Sequence, residues 1–248
     1  MKVLILAAGY GTRLYPHTKN FAKPLLRLNK KPVIDYILDK VSRISALSKI
    51  IVVTNSRFFK NFQKWKNDSC FKDKIILVND LTKSPADKLG AIADMYLGIK
   101  SQGLNEDYLV IGGDNFWEEP LDDFVRFAKN KKPYVAIGLA DVGAKSEASH
   151  YGVAILNRKQ QILDFEEKPV NPKSTLAAMC LYYFPRQKLK LLKKCINSSR
   201  LCFDNLGAYI SWLTKHDLVY GFIFKKMWFD IGRIQTYRKL NNILKLRS

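Results

Sequence analysis

Short apolar runs and amphipathic stretches alternate along most of this chain. The runs at 3–8, 50–54, 75–78 and 108–111 are rich in Val, Ile and Leu, which predicts strands buried on both faces. Between them, 33–44, 58–66 and 89–100 carry apolar residues at helical spacing and predict amphipathic helices. Beyond Asp114 the pattern predicts a helix over 121–129 and strands over 135–140, 152–156, 162–166 and 177–184. Helices over 187–196 and 205–214, a strand over 219–224 and a last helix over 234–246 complete the chain. Strands alternating with helices imply an α/β protein, a doubly wound sheet with helices on both faces. No repeat, low-complexity tract or Pro/Gly/Ser linker marks a boundary, so a single domain over 1–248 is expected.

Composition narrows the classes. At 47% hydrophobic residues the chain can build a sizeable core, which excludes disorder as a description of the whole. Lys and Arg number 42 against 22 Asp and Glu, a formal charge of +20 that predicts anionic partners: nucleic acid, a membrane surface or small phosphorylated molecules. Cys70, Cys180, Cys195 and Cys202 form no CxxC pair, and His17, His150 and His216 form no HExxH, so no zinc site is expected and the cysteines read as reduced thiols. The apolar start is too short for a signal-peptide core and leads into a Gly-rich loop, and no stretch approaches a membrane span. A soluble, cytoplasmic protein is expected.

Ligands of open α/β sheets collect at the carboxyl ends of strands. There the sequence becomes unusual. Leu6-Ala7-Ala8-Gly9-Tyr10-Gly11-Thr12-Arg13 follows the first strand: two glycines allow a tight turn presenting N–H groups to an anion, and Arg13 offers a bidentate fork for phosphate. The loop lacks the third glycine of a dinucleotide fingerprint and the Gly-Lys-Ser/Thr of a P-loop. Lys23-Pro24 supplies a second cation beside a proline-ordered turn. Gly112-Gly113-Asp114-Asn115 places a hard carboxylate at a strand end, suited to Mg²⁺ riding on phosphates, though an Asp-Asn turn reads the same way. Asp230, within Trp228-Phe229-Asp230-Ile231-Gly232, is an acid among apolar neighbours, either buried against a partner or holding a cation. Phe165-Glu166-Glu167-Lys168-Pro169 offers a carboxylate and a lysine, for a sugar phosphate or for a surface ion pair.

Together, from Met1 to about Tyr237, these segments resemble the sugar-1-phosphate nucleotidylyltransferase family. The resemblance implies a single Rossmann-like, doubly wound mixed sheet of the nucleotide-diphospho-sugar transferase type, without the left-handed β-helix that some relatives append. It implies Mg-dependent transfer of a nucleotidyl group from an NTP to a sugar 1-phosphate, releasing pyrophosphate. Arg13, Lys23 and Asp114 would be catalytic. Leu6, Ala8, Gly9, Gly11, Thr12, Arg13, Lys23, Asn79, Leu89 and Asp114 would hold the nucleotide, and Tyr151, Gly152, Glu167, Lys168 and Ala178 the acceptor. Asp114 and Asp230 would bind the metal. Two places depart from the family pattern. Lys88 stands where a glycine is usual in the loop 85–91, which removes a basis for naming the nucleotide. Ala178-Met179-Cys180-Leu181 lacks the usual polar residue and glycine, which opens the acceptor to phosphocholine or another phosphomonoester.

Two other classes remain in view. A non-catalytic nucleotidylyltransferase-like module, as in translation-initiation exchange-factor subunits, would keep the fold and erode the motifs. A nucleic-acid or membrane-surface protein would use the charge: residues 168–203 hold eight basic residues and no acid. The last helix adds Arg233, Arg238, Lys239, Lys245 and Arg247 around the apolar stripe Ile234, Tyr237, Leu240 and Leu244. Such a helix can lie on anionic lipid, but a core-facing stripe with a solvated basic face is the expectation adopted. No base-stacking pattern supports sequence-specific nucleic-acid binding. The expected partners are an NTP and a phosphorylated small molecule; the oligomeric state stays open.

Overall fold

A computed structural model describes residues 1–198 and 205–247. In chain order, β1 (Lys2–Leu6) precedes a two-stranded flap, β2 (Arg27–Leu28) and β3 (Lys31–Pro32), then α1 (Val33–Val41), β4 (Lys49–Thr54) and α2 (Phe59–Asp68). Next come β5 (Ile75–Asn79), α3 (Ala91–Gln102), β6 (Tyr108–Gly112), β7 (Asn115–Trp117), α4 (Asp122–Asn130), β8 (Val135–Asp141) and α5 (Lys145–Ala148). The chain continues through β9 (Gly152–Leu156), β10 (Ile162–Glu167), β11 (Leu176–Phe184) and α6 (Leu189–Ser198). It closes with α7 (Leu206–Thr214), β12 (Val219–Phe224), β13 (Trp228–Asp230) and α8 (Ile234–Leu246).

The main sheet is mixed, in the order β10-β9-β11-β6-β1-β4-β5, with β8 and then β12 branching from β11. β1 lies parallel to β4 and β6, and β4 parallel to β5. β11 enters antiparallel to β6. Alternation along β1 makes the layers: Val3 and Ile5 join α1, α2 and α4 in one core, while Leu4 joins α3, α6 and α7 in the other. Helices therefore cover both faces, as the α/β alternation predicted.

The predicted elements are all present, with shifted ends. β1 stops at Leu6, two residues early, because the chain peels away into the Gly-rich loop after Ala7 donates to Val53 O at 2.8 Å. α1 ends at Val41 rather than 44. The helix expected over 187–196 begins as a 3-10 turn, and α6 starts at Leu189. Three features escape a periodicity search for lack of length: the β2–β3 flap, α5, and the antiparallel pair β7–β13. The last of these matters most, because its register sets Asp230 opposite Asn115. In α8, Leu240 is buried and Ile234, Tyr237 and Leu244 pack with it against Leu14, Leu28 and Phe116. The stripe faces the protein. Among the described residues no helix is long and apolar enough to cross a membrane. Cys70 and Cys180 are free thiols and Cys195 is buried, while Cys202 and Arg200 lie outside the described residues.

Candidate active site

A cavity of about 590 Å³ opens at the carboxyl ends of β1 and β6. The loop after β1 forms its floor. Gly11 takes φ +62°, a left-handed conformation that glycine adopts without steric cost, and its carbonyl accepts the hydroxyl of buried Thr18 at 2.7 Å. The buried Asn55 amide donates to Ala8 O at 2.7 Å and fixes the other end of the turn. Thr12 and Arg13 follow in a 3-10 turn, so the guanidinium enters the cavity from an anchored backbone.

Lys23 also begins a 3-10 turn, and its ammonium pairs with Asp114. Asp114 sits in the turn between β6 and β7. The Gly113 amide ties that turn to Leu6 O at 2.9 Å, and Asp114 O accepts from Ile231 N at 2.9 Å. That second bond joins the turn to the end of β13, where Asp230 lies. Burial and then the charge of Asp114 push the Asp230 carboxyl up from its ordinary range, with Lys23, Arg13 and Lys168 acting in the opposite sense. Buried Asn115 stiffens the join: its Oδ1 accepts from Trp228 Nε1 at 2.8 Å.

Two repelling carboxylates beside a glycine-rich loop that carries Arg13 fit a divalent cation. Mg²⁺ commonly takes one or two carboxylates and completes its shell with water and substrate phosphates. Among the described residues no group of three or more His, Cys, Asp or Glu could hold a metal ion by itself.

The opposite wall comes from the second half of the chain. Tyr151 packs edge-on against Trp228 with ring centroids 5.0 Å apart, and its hydroxyl donates to Glu147 at 3.1 Å. Lys168 holds φ +47° at the end of β10, and its ammonium lies 3.8 Å from Glu167. Glu167 is pressed against the start of α7, where a Cβ at Gly207 would come 1.7 Å from its Oε2. Burial raises the Glu167 carboxyl and Lys168 partly offsets that rise. Cys180 sits at φ +52° in an irregular stretch of β11 where the register against β8 shifts. Burial pushes its thiol upward, away from reactive thiolate.

Leu6, Ala8, Gly9, Gly11, Thr12, Arg13, Lys23, Asp114, Tyr151, Gly152, Glu167, Lys168, Ala178 and Asp230 all line this one cavity. Asn79 and Leu89 do not. Asn79 is the last residue of β5 and turns to the protein side, its Oδ1 accepting Leu81 N at 2.9 Å and Ser56 Oγ at 3.1 Å. Strand alternation gives the cavity to its neighbour, Asp80. Leu89 is exposed, and Lys88 and Gly90 line the wall in its place. Asp94, from the first turn of α3, lines the same end. It had a signal in the sequence, an acid on the buried stripe of Ile92, Met95 and Ile99. Asn205 and Gly207, at the start of α7, had none beyond an N-cap residue.

The fold and the cavity define a nucleotidyl-transferring enzyme, and the chain belongs to the nucleotidyl transferase family, whose sequence profile matches residues 2–246. Among solved structures it is similar to a putative glucose-1-phosphate thymidylyltransferase from Bacillus anthracis, solved with sucrose. That match has 24% identity and a TM-score of 0.80 over 98% of this chain and 94% of that one. It is also similar to a UDP-glucose pyrophosphorylase complexed with UDP-glucose, at 20% identity and a TM-score of 0.83 over 100% and 99% of the two chains. At these identities the likeness is one of fold.

Proposed function

We propose that this chain, as one catalytic domain, joins a nucleoside triphosphate to a sugar 1-phosphate in a Mg-dependent reaction in the cytoplasm. The observation that carries the proposal is the entry of Arg13 and Lys23 into one cavity with Asp114 and Asp230, opposite Glu167 and Lys168. An acceptor phosphate oxygen attacks the α-phosphorus, a new P–O bond forms, the α–β bridging bond breaks, and pyrophosphate leaves with the bond's electrons. The nucleophile is already anionic near neutral pH, so no general base is required. The work of the site is to hold two repelling anions in line and to stabilise charge on the leaving group. Arg13, Lys23 and the N–H groups around Gly9 and Gly11 would take the triphosphate. Lys168 would meet the acceptor phosphate, and Glu167 and Tyr151 the rest of the acceptor. Asp114 and Asp230 would hold Mg²⁺, which when bound neutralises phosphate charge.

One observation favours a second acceptor class. Tyr151, Trp228 and Tyr182 stand in the same cavity as the carboxylate of Glu167, a set that also suits a cationic phosphomonoester such as phosphocholine. Pyrophosphate release, measured with Mg²⁺ for each NTP against a panel of sugar 1-phosphates and phosphocholine, separates the two. Turnover with a sugar 1-phosphate supports the primary proposal, turnover with phosphocholine alone replaces it, and silence throughout marks a non-catalytic module.

A further inference from the structure

Beyond the phosphate site, the cavity ends at two acids that the reaction above does not use. Asp80 is 6% exposed and Asp94 8% exposed, and their carboxyls lie against each other. Asp80 is anchored: its Oδ1 accepts the Thr82 amide and the Thr82 hydroxyl, each at 2.8 Å. The Thr82 hydroxyl has one proton to give, so Tyr10, 2.8 Å away, donates to Thr82. Tyr10 belongs to the phosphate loop, which fastens the acid pair to the loop that would hold the triphosphate. Asp94 is different. Its Oδ1 is buried and finds no hydrogen-bond partner among the described residues. A buried polar atom left unpaired is costly, so such an atom beside a ligand cavity points to a donor supplied by the ligand.

The chemistry of that donor follows from the pair. Two touching buried carboxyls share a proton: burial and the charge of Asp80 push Asp94 up to about 7. With that proton held between the two carboxyls, the oxygens left to a ligand are acceptors. Their complement is a donor-rich edge bearing an amino group, as in cytosine and adenine. Uracil and thymine present oxo oxygens on either side of a single N–H, which sets acceptor against acceptor.

We propose that Asp80 and Asp94 select a nucleobase carrying an exocyclic amino group over its oxo counterpart. The proposal rests on the nucleotide lying with its phosphates at Arg13 and Lys23 and its base toward α3, and it deepens that assignment by naming the class of base.

Matched pairs test it, because each differs only at the edge in question. Calorimetric titration at pH 7 with Mg²⁺ compares CTP with UTP and ATP with ITP, and whichever ring size the site admits reports. The expected result is tighter binding of the amino partner by at least about 30-fold, a fraction of the ~10⁴ that a fully hydrogen-bonded site can reach. Asp94→Asn keeps an oxygen acceptor and can still donate to Asp80, and should hold the ratio within about threefold. Asp94→Leu should reduce it to near unity, while the wild-type ratio stands as evidence even if that variant fails to fold. Equal or reversed affinities, or no binding of any of the four, overturn the proposal. Amino preference in binding without pyrophosphate release would sustain the base assignment and refute the reaction; turnover with UTP favoured over CTP would do the opposite.

Discussion

The Lys23 ammonium and the Asp114 carboxylate, 91 positions apart in sequence, form an ion pair in the cleft, with side-chain exposures of only 13% and 28%. The pair lies in the place where, on the proposed mechanism, triphosphate and cation arrive. Replacing either with alanine should lower pyrophosphate release by about 10²–10³-fold, as for loss of one preorganised electrostatic contact. Arg13→Ala should behave alike. Circular dichroism of all three variants should match the parent, and wild-type turnover in them would refute the assignment.

Glu167 can be tested without touching it. A Cβ at Gly207 would lie 1.7 Å from its Oε2, so Gly207→Ala must displace the carboxylate. The expected outcome is a KM for the acceptor raised roughly tenfold or more, with the KM for the nucleotide unchanged. A change confined to the nucleotide would place Glu167 on the wrong side of the reaction.

The pH dependence of stability should report Asp94. Its carboxyl is raised from an ordinary value of 3.8 to about 7, so the native state holds a proton that the unfolded state has released. Native binding of more protons makes stability fall as pH rises between those values, with the penalty complete above about 7. Asp94→Asn removes that penalty. Thermal unfolding of the variant should match the parent near pH 3.5 and exceed it by roughly 4–8 °C at pH 8. An equal shift at both pH values would show that ionisation is not the cause.

The basic excess should not direct the protein to membranes through α8. Leu240 is buried and its apolar neighbours pack with it, so the stripe that could enter a bilayer is already covered. Flotation with vesicles containing anionic lipid at 0.15 M salt should leave the protein unbound. Flotation that persists when salt is raised several-fold would show an apolar contact that this packing does not provide.

The course of the main sheet and the phosphate loop could be read from the chain because both are local. Val and Ile runs mark strands, and Gly9, Gly11 and Arg13 carry their chemistry within one turn. Asp230 could be named as a candidate but not placed, since its position depends on a three-residue strand pairing with β7 across more than a hundred residues. At the α3 end of the cavity the lining differs by one residue from the expectation: Asn79 terminates β5, and Asp80 lines the cavity. Asp94 carried a signal, an acid on the buried stripe of Ile92, Met95 and Ile99, but its meaning depends on Asp80 lying beside it, which only the folded chain brings about.

The most direct measurement of the central claim is pyrophosphate release on mixing the protein with Mg²⁺, each NTP and a sugar 1-phosphate. One nucleotide–acceptor pair should give turnover that requires both substrates, yields pyrophosphate and NDP-sugar in equal amounts, and is lost in Asp114→Ala. Pyrophosphate formed without acceptor, or undiminished in Asp114→Ala, would contradict the account.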